Sequence, residues 1–531
     1  MLLPRPGSIR VDDDQFLITE STRICAPPDL RCVAEWLRAA LHPATGFPLP
    51  IEMSDGSAPA IALSVDERVP SQAYRIVSGA RGVSVTGGDA AGAFYGCQSL
   101  LQLLPAGVYR RARADGARWS VPGVEIDDSP AFTWRGVMLD VARHFMPKHD
   151  LLRFIDLIAM HKFNVLHLHL TDDQGWRVQI RRYPRLTDVG GWRSESQLGA
   201  GPESSTDGRP HGGYYTQDDI REIVTYAGAR FVTVLPEIEL PGHARSAIAA
   251  YPELGVSGRQ LDVSTRWGIE RNVLNVEDST VQFFRNVFDE IVELFPGKVI
   301  GLGGDECPKD QWRADPRTQQ LMRERGLATE DDLQAWFVGR IGAHLQSHGR
   351  RSFGWDELLD GPLPRDAVIG SWRGMAGAVS AARKGIDVVA CPDDRVYLDY
   401  RQSELPDEPI PVAIPLILER VYGFDPVPAE LTAQEATHVL GGQANIWTEH
   451  MDSARVVDYF AFPRLCAVAE ALWSTGERDF GEFNNRLTRH LQRLDAIGVE
   501  YRPPGGPRPW QTRPGIAGRP MSPATRNAHI R

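Results

Sequence analysis

Two adjacent carboxylic acids, Asp305 and Glu306, are the residues of this chain best placed to do chemistry. They follow Gly303, Gly304 and the apolar run 299–302, so a buried strand opens into a loop at an acid pair. The glycines allow close approach of a substrate, and burial can raise the pKa of one carboxyl while its neighbour stays ionised. An acid–base role is one interpretation of the pair. The other is that the two acids cap the next helix.

Short apolar runs that alternate with helical patterns indicate the elements that would position this pair. Eight such runs lie at 136–139, 164–170, 232–235, 299–302, 352–355, 368–372, 388–390 and 439–442. Apolar residues recur at helical spacing over 151–159, and a capping box at 216–219 predicts the start of another helix. This alternation predicts an α/β fold, a closed parallel (β/α)₈ TIM barrel with its active site at the carboxyl ends of the strands.

Polar and aromatic residues follow the predicted strand ends and would therefore meet on one face of the barrel. They are Asp140, Arg143, Asp172, Asp173, Glu237, Glu239, His243, Asp305, Glu306, Trp355, Trp372, Tyr397, Asp399, Trp447 and Glu449. Carboxylates and an arginine can hold hydroxyl groups, indole rings can pack on the apolar side of a sugar, and an acid can protonate a leaving oxygen. These residue types predict a carbohydrate site.

The chain divides into three parts. Residues 1–128 contain short alternating runs and an apolar helical stretch, which predict a small N-terminal α+β domain whose sheet is covered by a helix. Residues 129–500 would form the catalytic barrel, with long insertions that shape the rim of its site. Residues 501–531 are a tail rich in Pro, Gly and Arg, and we expect about the last ten to fifteen to be poorly ordered.

Charge and cysteine content argue against several classes of function. The formal net charge is −11 and no basic stripe stands out, so a nucleic-acid partner is not expected. The 6 cysteines lie far apart without a Cys-x-x-Cys spacing for zinc or redox work. Residues 1–16 contain no apolar stretch long enough for a signal peptide or a membrane span. We therefore expect no membrane partner and a cytoplasmic location, or secretion if a signal precedes this sequence.

Six motifs in order make a specific resemblance. They are LDVARHF (139–145), HLHLTDDQGW (167–176), PEIELPGH (236–243), GGDE (303–306), YLD (397–399) and WTE (447–449). The set resembles the β-N-acetylhexosaminidases of glycoside hydrolase family 20, and an AGAFYG pattern at 91–96 extends the likeness into the N-terminal domain. The resemblance implies an exo-acting retaining enzyme that removes terminal β-linked N-acetylglucosamine or N-acetylgalactosamine from a glycan or glycoconjugate.

The resemblance also implies a role for each matched residue. Glu306 is implied as the general acid, and Asp305 as the group that orients the acetamido arm and stabilises an oxazolinium intermediate. Asp172 and His243 are implied to lie behind Glu306 and to tune its pKa towards the working pH. The implied sugar-binding residues are Arg143, Trp355, Trp372, Tyr397, Asp399, Trp447 and Glu449. Among these, Tyr397 would donate to the acetamido oxygen while the tryptophans enclose the methyl group.

The adjacency of Asp305 and Glu306 supports substrate assistance independently of the family. In the usual retaining pair, the two carboxyl groups come from different strands and flank the scissile bond about 5 Å apart. Two neighbours on one strand end are a poor arrangement for that geometry. In the family, the missing nucleophile is the 2-acetamido oxygen of the substrate itself.

Three other interpretations remain open. His167 and His169, with His243 and Asp305, could be ligands of a metal-dependent amidohydrolase. A conventional glycosidase could pair Glu306 with another strand-end carboxylate such as Glu237. A non-catalytic sugar-binding protein is the third, although the presence of both acids argues against it. The leading interpretation needs no metal and no cofactor, and it leaves the oligomeric state open.

Several single residues have simpler explanations. Arg143 could be only an ion-pair partner of Asp140. His167 and His169 point the same way along a strand and are typical of packed barrel histidines, so neither is given a direct role. Gln443 occupies a position in the eighth strand where relatives of this family often have Glu, so no catalytic carboxylate is assigned there.

Overall fold

The computed structural model describes residues 2–53, 60–361, 363 and 366–529. Its first part comprises β1 (Ser8–Leu17), β2 (Arg23–Cys25), α1 (Arg31–Thr45), β3 (Ile51–Glu52), β4 (Ala60–Val65), β5 (Tyr74–Gly79), β6 (Gly82–Gly87), α2 (Ala90–Leu103) and β7 (Ser120–Asp128). The strands form one 7-stranded sheet in the order β1-β7-β5-β6-β4-β2-β3, and α2 packs on β5 and β6. The predicted N-terminal α+β domain with a helix-covered sheet is confirmed.

The second part carries strands and helices in alternation. Its strands are β8 (Trp134–Asp140), β9 (Val165–His169), β10 (Thr171–Asp172), β11 (Gly175–Trp176), β12 (Trp192–Arg193), β13 (His211–Gly212), β14 (Thr233–Glu237), β15 (Val299–Gly301), β16 (Arg351–Trp355), β17 (Val368–Ser371), β18 (Asp387–Ala390), β19 (Val412–Ala413) and β20 (Val439–Ile446). Its helices are α3 (Lys148–Met160), α4 (Arg185–Asp188), α5 (Gln217–Gly228), α6 (Arg245–Ala250), α7 (Asp278–Leu294), α8 (Asp310–Ala314), α9 (Pro316–Arg325), α10 (Glu330–Ser347), α11 (Ala376–Arg383), α12 (Asp393–Val396), α13 (Leu418–Tyr422), α14 (Ala433–Ala436), α15 (Ala454–Ala461), α16 (Arg464–Trp473) and α17 (Phe480–Ile497).

Eight of these strands close a parallel barrel in the order β14-β15-β16-β17-β18-β20-β8-β9. Each apolar run predicted as a barrel strand is one of them, with ends that differ by a few residues, and the (β/α)₈ barrel is confirmed. Every residue of β8 and β9 is buried, because helices cover the outside and side chains fill the inside. The predicted capping box opens α5, where Thr216 and Asp219 exchange side-chain to backbone hydrogen bonds.

The tail is ordered against the barrel, so the expectation of disorder in the last ten to fifteen residues is wrong for the part that the structure describes. It contains a short 3₁₀ helix (Pro509–Gln511), β21 (Arg519–Pro520) and α18 (Pro523–His529). β21 pairs with β19, and Arg526 donates to the buried carboxylate of Asp393. The ion pair between Arg526 and the buried Asp393 holds the tail in place, although the polar composition of the tail favours disorder. None of the described helices combines the length and apolar character needed to cross a membrane.

The two folded domains meet around a buried ion pair. Asp128, the last residue of β7, lies 3.0 Å from Nζ of Lys162, and both side chains are at most 1% exposed. The same carboxylate accepts hydrogen bonds from Tyr74 at 2.5 Å and from the indole of Trp473 at 2.9 and 3.0 Å. Burial lowers the pKa of Lys162, whereas the Asp128 charge opposes that shift. The Asp128 carboxylate thus links the N-terminal sheet to the barrel, and Arg135 adds hydrogen bonds to Gln72 and Tyr95.

Replacing Asp128 by Ala should destabilise the protein by about 3–5 kcal/mol, because it leaves a buried ammonium without its counter-charge. Urea unfolding followed by tryptophan fluorescence measures the change. The matched control is Asp127→Ala, one residue earlier on the same strand, where the side chain is 62% exposed. We expect that control to change stability by no more than about 0.5 kcal/mol. Equal losses in the two variants would mean that the ion pair does not hold the domains together.

Candidate active site

The acid pair follows β15 in a strongly turned backbone. Gly303 and Gly304 have φ values of 67° and 94°, in the left-handed region that favours glycine. A Cβ atom at Gly303 would lie 1.7 Å from Oε2 of Glu239, so a larger residue has no room beside that carboxyl. The side chains of Asp305 and Glu306 remain 12% and 35% exposed. The turn therefore packs tightly against Glu239, while Asp305 and Glu306 remain accessible.

His243 lies behind Glu306 and links it to two buried aspartates. Its Nε2 atom is 3.4 Å from Oε2 of Glu306. Its Nδ1 atom is 3.2 Å from Oδ1 of Asp172 and 3.1 Å from Oδ2 of Asp173. Burial lowers the pKa of this imidazole, but the carboxylates, above all Asp172, raise it well above its ordinary value. His243 is therefore an imidazolium, and Asp173, which the sequence analysis gave no role, shares it.

A second imidazole, His169, lies beneath this group inside the barrel. Its Nε2 atom is 2.8 Å from Oδ2 of Asp172, and its Nδ1 atom is 2.5 Å from Oε2 of Glu237. Burial lowers the pKa of His169, but Glu237 and Asp172 raise it well above its ordinary value. His167 also contacts Glu237, at 3.1 Å, and its other ring nitrogen faces the amide of Gln443. Both histidines, which the sequence analysis treated as packing residues, are partners of a buried carboxylate.

The positions of these side chains bear on the metal-site interpretation. Ligand atoms of His169, Glu237 and Glu239 lie within 4.8 Å of one another. His243, Asp305 and Glu306 form a separate group of the same kind. Among the described residues, no such group contains both His167 and His169. The structure therefore does not gather His167, His169, His243 and Asp305 into one ligand set.

Arg143 is surrounded by acids at the mouth of the barrel. Its Nη2 atom is 2.8 Å from Asp172, and its Nη1 atom is 3.3 Å from Asp140 and 3.9 Å from Glu449. Its guanidinium carbon lies 5.0 Å from the ring centre of Trp447. The simple ion pair with Asp140 is present, but the same guanidinium also reaches the partly exposed Glu449. Arg143 thus connects the buried charges to the open pocket.

Four aromatic side chains stand together at the ends of neighbouring strands. The rings of Trp372 and Tyr397 stack with centres 6.1 Å apart and planes 22° apart. Trp447 lies 6.0 Å from Trp355 and 6.3 Å from Tyr397 between ring centres. Tyr397 is held there because its backbone pairs with Asn445 of β20. We refer to Trp355, Trp372, Tyr397 and Trp447 as the aromatic wall.

Asp399 and Glu449 lie at the outer side of this wall. Burial, followed by the charge of Glu449, raises the pKa of Asp399 well above its ordinary value. Burial also raises the pKa of Glu449, and Arg143 opposes that shift. The buried Oδ1 atom of Asp399 has no hydrogen-bond partner among the described residues. Such an oxygen favours a bound molecule that donates a hydroxyl proton to it.

Glu357 is a candidate that sequence reasoning missed. It lies in the 3₁₀ helix Asp356–Asp360 directly after β16, and its two oxygens accept from Nε1 of Trp372 at 3.1 and 3.0 Å. Burial, followed by the charge of Asp305, raises the pKa of Glu357 to about 8. At neutral pH it is therefore chiefly a neutral acid that fixes the Trp372 indole. Its place two residues after Trp355 at a strand end is the signal that could have revealed it.

The acids of the central pair differ in proton affinity. Burial raises the pKa of Asp305 to about 6, and the Glu306 charge adds to this while His243 opposes it. Burial also raises the pKa of Glu306, but the hydrogen bond and charge of His243 lower it overall. The implied tuning of Glu306 towards a working pH is thus not seen in the free protein. The two acids titrate as a coupled pair in which Asp305 has the higher proton affinity.

Two family models match the chain. One is described as "Glycosyl hydrolase family 20, catalytic domain" and matches residues 132–476. The other is described as "Glycosyl hydrolase family 20, domain 2" and matches residues 1–129. The first match contains every barrel strand, and the second contains the N-terminal sheet.

Related proteins match over nearly the whole chain. A "Beta-hexosaminidase" of Porphyromonas gingivalis is 43% identical over 510 residues, which are 95% of this chain and 64% of that protein. A "Beta-N-acetylhexosaminidase" of Cellulomonas fimi is 31% identical over 519 residues, which are 94% of this chain and 95% of that protein. The chain thus spans just under two thirds of the first relative and nearly all of the second.

Solved structures show the same architecture. The family 20 β-N-acetylhexosaminidase of Streptomyces coelicolor superimposes with a TM-score of 0.83 at 33% identity, covering 95% of this chain and 98% of that one. A mutant Streptomyces plicatus β-hexosaminidase, solved with its product GlcNAc, gives a TM-score of 0.83 at 33% identity, covering 95% and 97%. The two-domain arrangement is therefore shared with experimentally determined structures.

Proposed function

The chain belongs to glycosyl hydrolase family 20, and we propose that it is an exo-acting, retaining β-N-acetylhexosaminidase. Its substrate is a glycan or glycoconjugate with a non-reducing terminal β-linked N-acetylglucosamine or N-acetylgalactosamine. The observation that carries the proposal is the accessible pair Asp305 and Glu306 at one strand end, backed by His243. The relative from Streptomyces plicatus was solved with GlcNAc, a product of such a reaction.

The pair divides the chemistry between its two members. Glu306, the more exposed acid, gives its proton to the glycosidic oxygen as the bond to the anomeric carbon breaks. Asp305 accepts the acetamido N–H, while the acetamido oxygen attacks the anomeric carbon and forms a cyclic oxazolinium. The Asp305 carboxylate stabilises its positive charge. Glu306 then takes a proton from water, which opens the ring and restores the original configuration.

The aromatic wall and the rim residues hold the sugar for this attack. The tryptophans enclose the acetamido methyl group, and Tyr397 donates its hydroxyl proton to the acetamido oxygen. This contact keeps the nucleophile aimed at the anomeric carbon. Arg143, Asp399 and Glu449 bind hydroxyl groups of the terminal sugar, and the unpartnered oxygen of Asp399 supports that role.

Substrate binding should favour a proton on Glu306 over one on Asp305. An acetamido N–H that donates to Asp305 favours its ionised form, and a sugar that covers Glu306 disfavours the charge there. Both changes move the proton towards the leaving oxygen.

Glu237 does not fit the nucleophile of a conventional glycosidase. Its side chain is fully buried and contacts the rings of His167 and His169. Burial raises the pKa of Glu237, but these two histidines lower it well below its ordinary value. Its carboxylate thus forms ion pairs with these histidines beneath the site, which argues against Glu237 as the nucleophile.

Substrate assistance predicts that an aryl N-acetyl-β-glucosaminide is hydrolysed roughly 10³-fold or more faster than the matching aryl β-glucoside, because only the first carries the internal nucleophile. Initial rates at equal leaving group measure this. A trifluoroacetamido analogue, with a less nucleophilic oxygen, serves as the control and should react more slowly than the acetamido substrate. Equal rates for the glucoside and the glucosaminide would exclude the proposed nucleophile.

The shared proton predicts a bell-shaped pH profile of kcat/KM with its alkaline limb near pH 6. The free pair loses its last proton there, since the pKa of Asp305 is about 6. Activity is therefore lost as the pH rises through this value. Asp305→Asn should move the limb to lower pH, because the remaining carboxyl, Glu306, has a lowered pKa. A limb that stays in place in this variant belongs to another group.

Glu357 should act as a positioning residue for Trp372. Glu357→Leu removes the acceptor for the indole N–H and should raise KM for the aryl glucosaminide about fivefold, corresponding to about 1 kcal/mol. Glu357→Gln keeps an oxygen acceptor and should retain the KM of the wild type. Asp360→Ala, in the same 3₁₀ helix but exposed, is the matched control. Equal losses in the Leu and Gln variants would show that something other than this hydrogen bond matters.

A further inference from the structure

Helices α7 and α10 bring three potential metal ligands together at the end of the barrel opposite the active site. His344 and His348 are four residues apart at the end of α10, so they lie on one face of that helix. Asp289 of α7 faces both of them. α10 leads into the first residue of β16, and α7 precedes β15, so the group lies near the amino ends of these strands.

The three side chains converge on a single point. Nε2 of His344 is 2.8 Å, and Nε2 of His348 is 3.4 Å, from the same Oδ1 atom of Asp289. The three ligand atoms all lie within 4.8 Å of one another. Tetrahedral zinc, with bonds of about 2.0–2.1 Å, separates its ligand atoms by roughly 3.3 Å. Small rotations of these side chains therefore bring them to coordination distance.

Exposure and charge also suit a cation. The side chains of His344, His348 and Asp289 are 19%, 40% and 46% exposed, so an ion can enter from solvent and keep water ligands. The carboxyl end of the 18-residue helix α10 carries the negative end of its dipole, which favours a positive ion. The nearby guanidinium of Arg350 donates to backbone carbonyls of Pro296 and Val292. These hydrogen bonds hold the Arg350 guanidinium at the carboxyl end of α7.

We infer that Asp289, His344 and His348 form a binding site for a divalent transition-metal ion of the zinc class. Two imidazoles with one carboxylate match the ligand preference of zinc rather than that of magnesium or calcium, which prefer oxygen. The ion joins α7 to α10, and water completes its coordination. The site is separate from the reaction and stabilises the outer layer of the barrel.

Calorimetric titration of the chelator-treated protein with zinc tests the site, and cobalt absorption spectra report the ligand set. We expect one zinc per chain at this site, and at least a tenfold weaker affinity in His348→Ala and in Asp289→Asn. His149→Ala is the control, because His149 is also on a helix and 80% exposed, beside Asp150. It should bind zinc as the wild type does. Binding that none of these changes weakens would belong to other groups.

A second readout separates binding from a folding defect. Zinc should raise the Tm of the wild type and leave that of His348→Ala unchanged, while the two metal-free proteins melt alike because His348 is well exposed. Hydrolysis of an aryl glucosaminide should be equal in both proteins, so the metal site and the proposed function fail independently. Unchanged affinity in His348→Ala, or no saturable binding, would overturn the inference and leave Asp289 as a hydrogen-bond acceptor only.

Discussion

The active site rests on the burial of a protonated imidazole between two carboxylates. His169 stands between Asp172 and Glu237 and contributes to the charge that keeps both acids ionised, together with Arg143 and His243 at Asp172 and His167 at Glu237. Asp172 in turn raises the pKa of His243, and His243 lowers that of Glu306. The pKa of the accessible Glu306 therefore depends on the ion pairs beneath it, which link His243 to Asp172 and Asp172 to His169. A substitution inside the barrel at His169 would therefore change the pKa of Glu306.

Two of the eight described non-glycine residues with positive φ lie at the same place. His243 and Glu306 both have φ values of 47°, which residues with a Cβ atom rarely adopt. Such conformations cost about 1–3 kcal/mol each and persist only where surrounding contacts fix them. Here the contact between the two side chains does so, with the aspartates behind His243. The unusual backbone conformations thus direct the side chains of His243 and Glu306 towards each other. The attraction between these side chains in turn stabilises the backbone conformations.

The barrel was predictable because its strands are buried on both faces and therefore read as apolar runs. The position of the acid pair Asp305 and Glu306 at a strand end was predictable because GGDE follows one of these runs. Partners distant in sequence were not predictable from spacing: Glu237 is 68 residues from His169, and nothing local shows that they meet. Glu357 escaped notice because its role depends on an indole supplied by the next strand. The order of the tail depends on Asp393, a buried acid whose partner is 133 residues away.

The tail, residues 501–529, contacts three segments at the rim of the barrel: the insertion that contains Ala200, the strand β19 and the residue Asp393. The carbonyl of Ala517 accepts from the backbone of Ala200, in the insertion after the second barrel strand. β21 pairs with β19, in the insertion before the eighth. Arg526 holds Asp393, which also accepts from the hydroxyl of Tyr400 at 2.9 Å, and the Tyr400 ring contacts Tyr397. The tail thus contacts both insertions and, through Asp393, the Tyr400 ring that packs against Tyr397 of the aromatic wall. The tail therefore connects segments of the rim that the barrel alone would leave separate.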